Sequence, residues 1–256
     1  MRNIESEYRA ATRLHDRGAY KIFYSHVHPF PLLALGQNPA GETNGADLTA
    51  SDAFFENWEH DFVRFRHCLR QYPLAGPMCD LLEQSLDTKS EDVLRQVPVT
   101  NVIFRRAQNL GPVLKTLNLT EKDAVEEARP FVERILKIVN PHCILFFSNK
   151  AYKLFIRYYC RLNDLSINES NKVFTPNGRN EACIFFRSRG IVHALGREIE
   201  FVMVGHPSKY STRPEWSDVT GRFRSTLQSL QPPISPIRNS SALIELSPLP
   251  GHDTRL

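Results

Sequence analysis

The chain has 256 residues, 41% hydrophobic and 23% charged, an ordinary globular composition that excludes a wholly disordered or fibrous protein. At about 150 residues per domain, it can form one large α/β domain or two small ones. A formal net charge of +4 permits a phosphate-rich partner without demanding one.

Ile4–Asp16 has the period of a leading amphipathic helix, ended by Gly18. Glu5 and Glu7 stand where a secretion signal would need an apolar core, so an intracellular protein is expected. Phe30–Leu35 is a short apolar run stopped by Gly36, with the length and bounds of a buried strand. The loop Gln37–Asp47 is rich in Gly, Asn and Pro. Ala50–Leu69 is predicted helical and carries Phe54, Phe55, Trp58, Phe62 and Phe65, and a more polar helix follows over Met78–Leu86. Val97–Phe104 is the second predicted strand and runs into Arg105-Arg106.

Over Lys122–Val139, Val125, Ala128, Phe131, Val132, Ile135, Leu136 and Val139 recur at helical spacing. Pro130 interrupts them and predicts either a kink or a helix that begins near it. Pro141 closes the helix, and Cys143–Phe147 is the third strand, far too short an apolar run to cross a bilayer. A helix is predicted through Ala151–Tyr159, and residues 161–181 read as polar and turn-rich. Ala182–Phe186 and Ile199–Val204 are further strands, and Ser217–Leu230 is the final helix. From Gln231 onward Pro and Ser recur without period, so one domain over residues 1–230 is expected to precede a loose tail over 231–256. Strands alternating with helices predict a layered α/β domain with a largely parallel sheet.

The five cysteines (Cys68, Cys79, Cys143, Cys160 and Cys183) include no CxxC pair, which disfavours a structural zinc or iron–sulfur site and fits reduced thiols. In α/β folds ligands gather outside the carboxyl ends of the strands. Three predicted strand ends are unusually polar: Gly36-Gln37-Asn38-Pro39, Asn101 with Arg105-Arg106, and Gly205-His206-Pro207-Ser208. Each alone reads more readily as a turn or loop than as a site. Their joint occurrence on strand ends raises the functional reading.

Leu35-Gly36-Gln37-Asn38-Pro39-Ala40-Gly41 followed much later by His206-Pro207-Ser208 resembles the two motifs of the uracil-DNA glycosylase superfamily. The first motif of that family reads Gly-Gln-Asp-Pro-Tyr, or Gly-Met-Asn-Pro-Gly in its single-strand-selective branch, and this chain blends the two. Residues 128–141 look like the helix and strand entry of the thermophile-type branch. That branch tends to carry a cluster-binding cysteine where this chain has Ala128, so no iron–sulfur cofactor, and no other cofactor or metal, is carried over. The resemblance covers residues 30–230. It implies a three-layer α/β/α fold with a central, mostly parallel sheet, a DNA partner and a monofunctional glycosylase; the sequence is silent on oligomeric state, a monomer being favoured.

The residues suit that chemistry. Cleavage of an N-glycosidic bond builds positive charge on the sugar and negative charge on the departing base, so the site needs a donor at the base and a water below the sugar. His206 is the candidate oxyanion donor and Asn38 the candidate water-positioning group. Backbone amides around Gly36 and Gln37 would add donors, Asn101 would read a base edge, and Phe54 or Phe55 would stack on the base, although both also fit a buried helix face. Ser208 and Lys209 are candidate phosphate contacts, Tyr210 stands where the family carries a wedge, and Arg105, Arg106, Arg213, Arg222 and Arg224 would add a diffuse basic surface. Asn38 replaces a catalytic aspartate of the fastest branch, which implies slower turnover. Ala40 replaces a tyrosine that excludes the thymine methyl, which implies room for a C5 substituent. Two other readings stand beside this one: a DNA-binding module of the same fold with little or no excision, and a hydrolase of free nucleosides or nucleotides. No phosphate loop or carboxylate-rich metal motif supports the latter.

Overall fold

The computed structural model describes residues 2–12, 22, 25, 27–39, 75–88, 96–105, 107, 109–161, 166–174 and 181–230. Their strands are β1 (Leu32–Gly36), β2 (Val99–Asn101), β3 (Cys143–Phe146), β4 (Ser166–Phe174), β5 (Glu181–Val192) and β6 (Arg197–Val204). Their helices are α1 (Arg2–Thr12), α2 (Ala75–Leu86), α3 (Leu110–Thr116), α4 (Glu121–Val139), α5 (Asn149–Tyr159), α6 (Pro207–Tyr210) and α7 (Trp216–Ser229). One six-stranded sheet has the order β2-β1-β3-β6-β5-β4. β2, β1, β3 and β6 are mutually parallel, and β5 and β4 extend the sheet antiparallel.

Alternation along the parallel strands explains their unbroken apolar sequences. Leu33 and Leu35 of β1, Ile144 and Phe146 of β3, and Phe201 and Met203 of β6 enter a core shared with α1, α4 and α5. Leu32 and Ala34, Cys143 and Leu145, and Val202 and Val204 enter a second core shared with α2 and α7. A strand buried on both faces has no solvent side to mark with polar residues. The result is a three-layer α/β/α fold.

α4 departs from the reading in which Pro130 sets its start. It begins nine residues earlier, at Glu121, capped by Thr120, which accepts a hydrogen bond from Asp123 N (3.2 Å) while the Asp123 carboxylate accepts from Thr120 N (2.8 Å). The two hydrogen bonds from Thr120 hold the Asp123 carboxyl below its ordinary range. Pro130 costs this helix a hydrogen bond, but it sits on the exposed face, and eight buried residues from Ala124 to Val139 hold both flanks against the core.

Residues 161–181 are the larger correction. Ser166–Phe174 is a strand, paired antiparallel with β5. Its sequence is mostly Ser, Asn, Glu and Lys, poor strand formers, and only the ladder to β5 selects the extended form; polar edge strands also discourage pairing with other chains. β5 likewise runs past Phe186 to Val192. There the buried Glu200 of β6 accepts from Arg187 Nε and Arg189 Nε, both at 2.6 Å, so the polar stretch of β5 is tied to its neighbour. β2 is shorter than Val97–Phe104, spanning Val99–Asn101, although Val102 N and Ile103 N still donate to the chain of β1 and its end. The predicted helix over Ala50–Leu69 and the tail from Gln231 lie outside the described residues.

The described thiols of Cys79, Cys143 and Cys160 are buried and form no disulfides. Desolvation pushes Cys79 and Cys160 up to about 12, which leaves them protonated and inert at neutral pH.

Candidate functional site

Because β2, β1, β3 and β6 run parallel, their carboxyl ends open on one edge of the sheet. Gly36 and Asn101 are direct partners across β1 and β2. A Cβ on Gly36 would overlap Asn101 Oδ1, so glycine is what lets the asparagine side chain lie across β1. Asn101 is only 4% exposed, and its Nδ2 has no hydrogen-bond partner among the described residues. An unpaired buried amide of this kind costs about 1–3 kcal/mol, which an acceptor on a bound ligand would restore.

The chain after β1 is stitched to the chain after β2. Val102 N donates to Gly36 O (3.0 Å), Ile103 N to Gln37 O (2.9 Å) and Ala107 N to Pro39 O (3.0 Å). Asn38 Nδ2 donates to Pro39 O (3.0 Å) and Ala107 O (2.9 Å). Two carbonyls demand the NH2 side of the amide, so the orientation of Asn38 is settled by chemistry. Its Oδ1 remains the acceptor, on the opposite side of the group. This arrangement can hold a water through Oδ1 but cannot take a proton from it.

β6 brings His206 to the same edge. Leu35, Phe146 and Met203 stand in register across β1, β3 and β6, so the chain after β6 emerges two strand spacings, about 10 Å, from that after β1. Gly205 is required there. Its N–H donates to Ile184 O (2.7 Å), and a Cβ would meet the Tyr210 ring at 2.9 Å and Ile184 Cα at 3.2 Å. His206 opens the short helix α6, with its carbonyl accepting from Lys209 N (2.9 Å).

Burial, and secondarily the Lys209 ammonium, lowers the His206 pKa below its ordinary 6.5. Both causes disfavour the imidazolium, so the neutral ring is the favoured form at pH 7. A proton NMR titration of His206 should therefore give a midpoint below 6.5. Lys209→Gln removes one cause and should move the midpoint upward without reaching 6.5, because burial persists. A wild-type midpoint at or above 6.5 would contradict this account.

Other expected site residues divide sharply. Lys209 is exposed at this edge, and Ser208 lies in α6. Tyr210 is half-buried, with its ring against Gly205 and the second core. That packing fits an anchor for α6 better than an inserted wedge. Arg105 is a correction: it is 7% exposed, and its Nε and Nη2 donate to the two Glu127 carboxylate oxygens at 2.7 and 2.8 Å. A guanidinium held in this way does not join a basic surface. Arg222 pairs with Asp218 at 2.7 Å, and Arg224 lies 4.0 Å from Asp87. Arg106, Phe54, Phe55 and Ala40 lie outside the described residues. The Ala107 carbonyl, as a main-chain acceptor, leaves no signal in residue type.

The sequence matches no known family model and no curated protein. Among the described residues, no helix is long and apolar enough to cross a membrane.

Proposed function

We propose that this chain is a monofunctional DNA glycosylase, hydrolysing the N-glycosidic bond of a flipped uracil or modified pyrimidine inside the cell. The observation that carries this reading is the buried Nδ2 of Asn101 above Gly36, which has no partner among the described residues, on the strand-end edge shared with Asn38 and His206. A buried donor is costly without an acceptor, and a carbonyl on an extruded base would supply one.

In the proposed reaction, water held by Asn38 Oδ1 approaches the sugar carbon from the face opposite the base. The C–O bond forms as the C–N bond breaks, and the bonding pair leaves with the base. His206, neutral, donates a hydrogen bond to the oxygen on which that charge collects. Asn38 cannot accept the proton of the water, which passes to solvent, so slow turnover is expected. No lysine is assigned as a nucleophile, and strand cleavage forms no part of the proposal.

The amide at position 38 also favours one second reading: a DNA-binding module of this fold with little or no excision. One experiment separates the two. Single- and double-stranded oligonucleotides containing uracil or 5-hydroxymethyluracil are incubated with the protein, and abasic sites are revealed by alkaline cleavage. Abasic product from at least one substrate is the expected outcome. Retention of DNA on a gel without abasic product would select the binding module, and neither binding nor product would reject both.

A further inference from the structure

We infer that Arg105 and Glu127 are positioning residues that aim the Asn38 side chain, acting through the carbonyl of Ala107. The inference rests on the proposed role of Asn38 in holding water. The segment from Val102 to Arg105, together with Ala107, is buried although it lies beyond β2 and belongs to no helix. Two side chains tie it to the helical layer. Phe104 meets the Tyr8 ring edge-on at 5.2 Å, and Tyr8 meets Phe131 of α4 in the same way at 5.4 Å. Arg105 then places its planar fork on Glu127 of α4 through two hydrogen bonds.

Two residues beyond Arg105, Ala107 connects to the first strand end twice. Its N–H donates to Pro39 O, and its carbonyl accepts from Asn38 Nδ2. An asparagine side chain has two torsions, so fixing Nδ2 on two carbonyls fixes where Oδ1 points. Ala107 is two residues along the chain from Arg105, so the ion pair anchors the segment close to the carbonyl that accepts from Asn38 Nδ2. A fork of two bonds restrains both the position and the tilt of the segment, which a single ammonium contact would not. Glu127 belongs to α4, and Asn38 Nδ2 donates to the carbonyls of Pro39 and Ala107 rather than to either member of the pair, so the effect on Asn38 is carried along the chain.

Glu127→Gln keeps the shape of the site and removes the charge that holds the fork. The expected result is a kcat for base excision reduced roughly tenfold to a hundredfold with KM within about twofold, since misplacement rather than binding is altered. In 15N-labelled protein, the side-chain NH2 signals of Asn38, assigned by their loss in Asn38→Ala, should shift and exchange faster with solvent. Arg105→Lys keeps the buried charge but not the fork, and serves if Glu127→Gln does not fold; it should act in the same direction. Arg129→Gln removes two surface pairs, to Glu126 and Glu133, from the same helix and should leave the Asn38 signals unmoved. Unchanged Asn38 signals in both Glu127→Gln and Arg105→Lys would overturn the positioning role, as would an equal disturbance by Arg129→Gln. These readouts need no catalysis. Absence of excision by the wild type would sink the glycosylase reading while the amide signals still decide the linkage.

Discussion

His206→Ala is expected to lower base excision by about 10²–10³-fold while DNA binding and folding are largely kept. The residue follows β6 at the edge where the strands end, and burial favours its neutral form, so in the proposed reaction its contribution is a directed hydrogen bond rather than a charge. Such a bond strengthens as negative charge gathers on the leaving base, and it therefore acts on kcat more than on KM. Truncation to alanine removes the donor and leaves the main chain of α6 as it was. Its hydrogen bonds, Lys209 N to His206 O and Ser211 N to Pro207 O, use no side chain of residue 206. Asn38→Ala should lose most excision as well, by releasing the water. The measurement is single-turnover excision beside oligonucleotide affinity and thermal melting. Excision at the wild-type rate in either variant would remove that residue from the mechanism.

Gly36→Ala should be nearly as damaging, for a steric reason. The added methyl overlaps Asn101 Oδ1, and the next neighbour is Thr100 main chain, so the asparagine must turn away. Its Nδ2 then leaves the position in which it would meet a base, and excision should fall roughly a hundredfold, as a misplaced binding group can cost. The clash also makes the variant less stable. Combining Gly36→Ala with Asn101→Gly relieves the overlap, so thermal stability should recover while activity does not. Recovery of both would show that Asn101 only fills space. Wild-type excision in Gly36→Ala alone would show that the contact is not part of the site.

The layered α/β fold and most of its elements were legible in residue order. Apolar runs such as Leu32–Leu35 and Cys143–Phe146 announce strands buried on both faces, and the 3.6-residue recurrence through Val125–Val139 announces α4. The motifs at Gly36–Pro39 and His206–Ser208 marked the candidate edge for the same reason: polar residues directly after an apolar strand have to lie at its end. Residue type carries that much because burial is encoded locally, by which side chains repel water.

Partnership is not encoded that way. Ser166–Phe174 becomes a strand only because β5 is beside it, and α4 passes through Pro130 because a core lies against its flanks. Arg105 read as a surface cation until Glu127, 22 residues away and on another element, proved to be its partner. The orientation of Asn38 depends on a carbonyl 69 residues downstream, and Asn101 lies buried beside Gly36, its Nδ2 without a partner among the described residues, because β1 and β2 lie in register. The sequence by itself determined the layers, the strand ends and the donors and acceptors available there. Tertiary structure alone decided which of those groups are held by the protein and which stay open to a ligand, because hydrogen-bond partners are chosen by proximity in space.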